Sequence, residues 1–186
     1  PPTLHALSCY QPEMSFLLAT ASVKMAEIDA LSDACFPSYP KKLPLPAHRL
    51  NGMLSGIADL MFLWEGQYYV LDYKSNALPD YTSAALHAEM RSRRRYDLQA
   101  LIYLLALHRH LQSRLPDYDY DQHMGGAVYV FVRGWDGAGQ GECVCKPPRA
   151  VMETLDRLLT VGSPAQQGLQ AVGHGGDRNA ELAGAV

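Results

Sequence analysis

The dipeptide Glu65-Gly66 separates two runs of β-forming residues, Ile57 to Trp64 and Gln67 to Lys74 (QYYVLDYK), and constrains this chain more tightly than any other feature. Two strands joined by two residues form an antiparallel hairpin whose loop length sets its register. With Trp64 opposite Gln67, paired positions sum to 131, so each residue's partner and face follow from the turn alone. A second constraint is Ala127 to Arg133 (AVYVFVR), which follows Gly125-Gly126 and is almost continuously apolar. Such a strand is central and covered on both faces. Helical spacing over Val23 to Cys35, Tyr81 to Arg114 and Arg149 to Leu159 supplies the cover. The middle stretch divides near Ser92, and its second half carries Leu98, Leu101, Ile102, Leu105 and Leu111 on one stripe. Shorter strands are expected over Glu13 to Thr20, Arg49 to Leu54 and Glu142 to Cys145, with a proline-rich loop from Phe36 to Pro46. The expected class is α/β.

A chain of 186 residues is about one domain, and 48% hydrophobic against 19% charged residues excludes wholesale disorder. Residues 1–161 form the expected domain, with a Gly/Ala-rich tail over 162–186 expected to be flexible. Sixteen basic and nineteen acidic side chains give a net charge of −3, so any nucleic-acid contact must be local. The strongest local candidate is Arg91-Ser92-Arg93-Arg94-Arg95, which reads either as a phosphate contact or as a solvated helix face. Lys41-Lys42 with His48-Arg49 is a weaker one. Cys9, Cys35, Cys143 and Cys145 form no CxxC pair, which leaves zinc ribbons and thioredoxin-type sites unsupported. Cys143 and Cys145 share a strand face as small apolar side chains. No membrane span and no secretory signal are visible, so no membrane partner and a reducing cytoplasm are expected. The opening Pro1-Pro2-Thr3, without Met, suggests a piece of a longer protein.

The hairpin register places Asp59 opposite Asp72 on one face. Two carboxylates about 5 Å apart at an effective dielectric near 20 repel by on the order of 3 kcal/mol. Removing Asp72 is then expected to leave the fold intact or slightly more stable. A divalent cation resolves the repulsion, because both carboxylates can reach one Mg²⁺ at about 2.0–2.1 Å. Lys74 lies two residues beyond Asp72 and shares its face, as do Val70 and Tyr68, whereas Leu71 and Tyr73 point the other way. An amine there can hold or deprotonate a nucleophilic water, or neutralise charge developing on a phosphate. Asp72 and Lys74 alone read as a surface ion pair on an edge strand. Asp59 at the matching register turns the reading toward a metal site. On the following helix Tyr96, Gln99 and Tyr103 share a face. Gln99, a polar amide in an apolar stripe, either binds a backbone carbonyl or faces a cleft.

Gly56-Ile57-Ala58-Asp59-Leu60, Gly66-Gln67-Tyr68-Tyr69-Val70-Leu71-Asp72-Tyr73-Lys74-Ser75-Asn76 and Tyr96-Asp97-Leu98-Gln99-Ala100-Leu101-Ile102-Tyr103 together resemble the PD-(D/E)xK nuclease superfamily, and within it the RecB-like group. Pro12-Glu13-Met14-Ser15-Phe16, Tyr118-Asp119-Tyr120 and Tyr129-Val130-Phe131-Val132-Arg133-Gly134 extend the likeness, which covers roughly residues 10 to 160. The resemblance implies a restriction-endonuclease-like core, a mixed central sheet flanked by helices, that cuts DNA with Mg²⁺. In such sites Mn²⁺ substitutes and Ca²⁺ binds without activity. It implies Asp59, Asp72 and the Tyr73 carbonyl as metal ligands, and Asp59, Asp72, Lys74, Gln99 and Tyr103 as the catalytic set. It also implies DNA as substrate, a helicase portion upstream in the same polypeptide, RecC-like and RecD-like subunits as partners, and a role in double-strand break repair and recombination. A catalytically silent module for assembly or DNA guiding is the alternative. The group's histidine ligand on an upstream helix has no match here; His5 lies outside any helical pattern, and Cys143-x-Cys145 does not match the four cysteines of iron–sulfur relatives.

Overall fold

The computed structural model describes residues 7, 9–40, 45 and 48–162. His5, Lys41, Lys42 and the tail beyond Gly162 lie outside the described residues. Strand β1 (Cys9–Lys24) leads into helix α1 (Met25–Cys35), and β2 (Arg49–Trp64) and β3 (Gln67–Lys74) form the hairpin. Helices α2 (Ser83–Met90), α3 (Tyr96–Arg114) and α4 (Tyr120–His123) follow, then β4 (Met124–Phe131), β5 (Glu142–Cys145) and α5 (Arg149–Val161). The strands lie in the order β1-β2-β3-β4-β5. β3 and β4 are parallel and the other neighbours antiparallel, so the sheet is mixed. A parallel pair needs a long crossover, which the α2–α4 segment provides.

The hairpin has the expected register, from Trp64 opposite Gln67 to Leu60 opposite Leu71. Glu65 and Gly66 have φ of 49° and 80°, the two positive values that a type I′ turn requires. Two expected strands, Arg49 to Leu54 and Ile57 to Trp64, are one: Ser55 and Gly56 continue the ladder opposite Leu17 and Phe16. A Cβ on Gly56 would stand 2.5 Å from the Phe16 ring, so glycine here lets Phe16 lie across β2 and meet Tyr103 edge-on.

The main core fills the space between the sheet and α1, α2, α3 and α5, and a smaller cluster of Leu7, Leu60, Phe62, Leu71, Val128 and Val130 covers the other face. Helix α3 is buried on more than one stripe, with Ala100, Tyr103, Leu104 and Leu107 enclosed as well as Leu101, Leu105 and Leu111. It lies on the sheet with α1, α2 and α5 around it, so no broad side is left for solvent. β4 is covered on both faces, and Cys143 and Cys145 are both buried, as expected.

The Arg91–Arg95 segment departs at its two ends from both readings offered for it. It is the turn between α2 and α3, and its first and last arginines point inward. Arg91 is ion-paired with Asp33 and lies 3.7 Å from Asp97, while Arg95 reaches Asp29 at 2.6 Å and Asp97 at 3.0 Å. Asp97 is fully buried in the first turn of α3, and a buried carboxylate demands counter-charge. Only Arg93 and Arg94 stay exposed, with Arg94 3.6 Å from Glu89.

Candidate active site

β2 and β3 part beyond Leu60 and Leu71, where the hairpin ladder ends. The next residue on each strand is an aspartate. Asp59 uses its carboxylate to continue the ladder, with Oδ2 accepting from the Tyr73 N–H at 2.7 Å. An extended residue directs its N–H and C=O to the same side, so the Tyr73 carbonyl faces this parting as well. Strand phase also changes here. Ala58 packs in the helix-side core, whereas Leu60, two residues on, packs in the cluster on the other face. In an unbroken strand the two would share a face. Across the β1 ladder the position facing Asp59 is Glu13, a non-glycine residue with φ of 51°. Asp59 is therefore exposed at a kink, while Asp72, on central β3, is only 6% exposed.

Lys74 joins Asp72 at 2.6 Å and is 4% exposed, which replaces the surface ion pair on an edge strand with a buried one on an interior strand. Its ammonium also donates to Gln99 Oε1 at 2.9 Å and lies 4.1 Å from the centre of the Tyr96 ring. Gln99 Nε2 donates to the Tyr103 hydroxyl at 2.9 Å, and that hydroxyl donates to the Ile57 carbonyl at 2.7 Å. Both possibilities for Gln99 are thereby resolved: it faces the carboxylates through Lys74, and Tyr103 takes the backbone carbonyl. Tyr129 adds a donor to Gln99 Oε1 at 3.2 Å. The chain of bonds leaves Gln99 one orientation, amide oxygen toward the lysine.

Burial pushes the Asp72 carboxyl above the usual carboxylate range; Lys74 draws it back, and Asp59 pushes it up again. Burial and then the Asp72 charge hold the proton on Tyr103, which keeps it a donor. Two acids and one ammonium share the pocket, so negative charge is left over on the exposed side. The donors there are carboxylate and carbonyl oxygens, the hard ligands that Mg²⁺, Mn²⁺ and Ca²⁺ take. Asp59, Asp72 and Tyr73 fit such a cation. Among the described residues no group of three or more His, Cys, Asp or Glu could hold a metal, so water and substrate oxygens would complete the shell.

The five residues of the expected catalytic set converge, Asp59, Asp72, Lys74, Gln99 and Tyr103, with Tyr73 bonded to Asp59. Gln99 reaches the acidic end through Lys74, whereas the Tyr103 hydroxyl also borders Asp72 itself; both hold the Asp72–Lys74 pair in place. Tyr129 was missed, because it hides in an apolar strand. No local signal marked it, since it pairs with Asp72 only across the parallel ladder.

A buried aspartate–lysine pair two residues apart thus stands beside a second aspartate at the parting of a hairpin, in a mixed sheet of an α/β fold. The chain belongs to the PD-(D/E)XK nuclease superfamily, whose sequence profile matches residues 17–171. Members of that superfamily generally use divalent metal ions. The chain is similar to the RecBCD enzyme subunit RecB of Escherichia coli, 41% identical over 156 residues that make up 80% of this chain and 13% of that protein. It is 48% identical over 120 residues to the subunit of the same name from Haemophilus influenzae, covering 62% of this chain and 10% of that protein. For Mycobacterium tuberculosis the identity is 38% over 131 residues, 61% and 11% of the two chains. The chain thus spans a small part of the length of each of these relatives.

Proposed function

We propose that this chain is a Mg²⁺-dependent DNA nuclease domain that hydrolyses phosphodiester bonds within a RecBCD-type helicase–nuclease, an exonuclease V, acting in double-strand break repair and recombination. On this reading its partners are DNA, a helicase portion of the same polypeptide and RecC-like and RecD-like subunits, and its compartment is the cytoplasm. The observation that carries the proposal is the buried Asp72–Lys74 pair beside exposed Asp59. No helix among the described residues is long and apolar enough to cross a membrane.

A divalent cation held by Asp59, Asp72 and the Tyr73 carbonyl supplies Lewis-acid stabilisation and a more acidic water. The chain's own residues do the rest. Lys74 has three N–H donors, two of them given to Asp72 and Gln99, which leaves one for the attacking water or a phosphate oxygen. The water oxygen bonds to phosphorus and releases a proton to solvent, one P–O bond to deoxyribose breaks, and the departing oxygen takes a proton from solvent. Lys74 neutralises charge that builds on the phosphate, and the Gln99–Tyr103–Ile57 chain keeps the ammonium from turning away. A silent assembly module has no use for this pair, because a buried ion pair is seldom worth more to stability than apolar packing.

The test is cleavage of single-stranded DNA with Mg²⁺ by the full chain and by Asp72→Ala. A loss of at least about a thousandfold is expected. The geometry reverses the sign of the stability change expected from the sequence: Asp72→Ala strands the Lys74 ammonium in a buried site and destabilises, so each variant is checked for folding by circular dichroism. Undiminished Mg²⁺-dependent cleavage by folded Asp72→Ala would sink the assignment.

A further inference from the structure

A site that cuts DNA must hold a polyanion against its own acidic pair, and the chain carries a net charge of −3. The arginines singled out from the sequence for this task are largely consumed, since Arg91 and Arg95 are bound to aspartates. Arg133 is not. It is exposed just past β4, and among the described residues no carboxylate lies within ion-pair distance of its guanidinium. Its Nε donates to the Ser75 carbonyl at 2.7 Å, which leaves the two terminal nitrogens for a ligand. Ser75 directly follows Lys74, and the Val132 N–H donates to the Lys74 carbonyl at 3.0 Å. Arg133 is therefore fastened to the backbone that carries the proposed catalytic lysine.

The neighbouring turn is fastened too. A Cβ on Gly134 would overlap the Tyr81 side chain, so glycine lets Tyr81 pack directly on this turn. The Tyr81 hydroxyl in turn donates to the Asn76 carbonyl at 3.0 Å. Trp135, two residues beyond Arg133, is 54% exposed, and its Nε1 donates to Glu142 Oε1 at 2.7 Å. That bond orients an indole that stays more than half exposed. A fixed arginine fork beside an oriented, exposed tryptophan matches the phosphate and the base of one unpaired nucleotide: the fork takes phosphate oxygens and the indole takes a stacked base.

We infer that Arg133 and Trp135 form a binding subsite for single-stranded DNA next to the cleavage site, Arg133 taking a backbone phosphate and Trp135 a nucleobase. The inference rests on the nuclease reading and deepens it by naming how the strand is held.

The test is fluorescence anisotropy of a labelled single-stranded oligonucleotide with the full chain, without added metal, over a salt series. Arg133→Gln keeps a donor for the Ser75 carbonyl and loses the charge. It is expected to bind about tenfold more weakly and to flatten the plot of log affinity against log salt by about 0.7, the loss of one phosphate contact. Arg133→Lys keeps the slope. Trp135→Ala also binds about tenfold more weakly, with the slope unchanged. An Arg133→Gln slope equal to that of the unsubstituted chain, unchanged affinity in Trp135→Ala, or no binding by the unsubstituted chain overturns the inference. Cleavage is measured separately. A chain that binds with these slopes and never cleaves contradicts the nuclease reading alone. A chain that cleaves while its binding ignores Arg133 contradicts the subsite alone.

Discussion

Two buried carboxylates flank the same stretch of chain, and their charge is handled in opposite ways. Asp97 accepts from Ser32 and from Arg95, with Arg91 close by, so one acid faces two guanidiniums whose remaining charge passes to Asp29 and Asp33. Asp72 has one ammonium, and its other charged neighbour is a second acid, Asp59. The first cluster sets two guanidiniums against one fully buried acid, and it fixes where α3 begins. The second is left negative at a point where the sheet parts and solvent enters. The contrast lies in what faces the buried acid: two guanidiniums at Asp97, and at Asp72 one ammonium with a second, exposed acid beside it. Arg91 Nε is the buried donor without a hydrogen bond among the described side chains, 3.7 Å from Asp97, so this contact is one of charge more than of hydrogen-bond geometry.

The sharpest way to break this contrast is Lys74→Ala. Turnover is expected to fall about a thousandfold, while the Mg²⁺ concentration for half-maximal effect stays the same or decreases, because Asp72 loses a competing cation. A weakening of metal affinity equal to that of Asp59→Asn would mean that Lys74 is structural. Next in size is Asp97→Asn, which leaves two buried guanidiniums short of charge. It is expected to cost about 3 kcal/mol, seen as a fall in melting temperature on the order of 10 °C, with Mn²⁺ affinity unchanged in the folded protein. Tyr103→Phe should do less. It removes the bonds to Ile57 and Gln99, so kcat is expected to drop about tenfold with KM little changed, and stability by about 1 kcal/mol.

The smallest expected effect lies away from both clusters. His108 is buried against Tyr118, its Nδ1 2.8 Å from the hydroxyl, and burial holds its pKa below the ordinary 6.5. The unfolded chain therefore takes up a proton first as pH falls through about 6.5, and native stability falls with it down to the lower folded-state pKa. His87, also lowered by burial, acts in the same direction. The melting temperature is expected to be lower at pH 5.5 than at pH 7.5, and His108→Gln should narrow the gap.

The candidate site was legible because hairpin register is arithmetic as far as Leu60 and Leu71, which brings Asp59 and Asp72 to the parting. Alternation adds Lys74 to the face of Asp72, whereas the kink at Asp59 is not written in that register. Gln99 and Tyr103 followed from helical spacing. Local pattern could not reveal partners brought from elsewhere in the chain. The arginine run looked like a surface patch because Asp29 and Asp33 belong to α1, over fifty residues earlier. Tyr129 looked like core because its polar tip meets Gln99 only after the crossover closes. Strand lengths were underestimated because β1 and β2 extend each other by pairing, which composition does not record.

The charge left over at Asp59 and Asp72 is tested most directly by Mn²⁺ binding, followed by electron paramagnetic resonance of the free ion in titrations of the full chain. The unsubstituted chain is expected to bind Mn²⁺, Asp59→Asn at least about tenfold more weakly, and Lys74→Ala as tightly or more tightly. Mn²⁺ binding in Asp59→Asn as tight as in the unsubstituted chain would contradict the metal site.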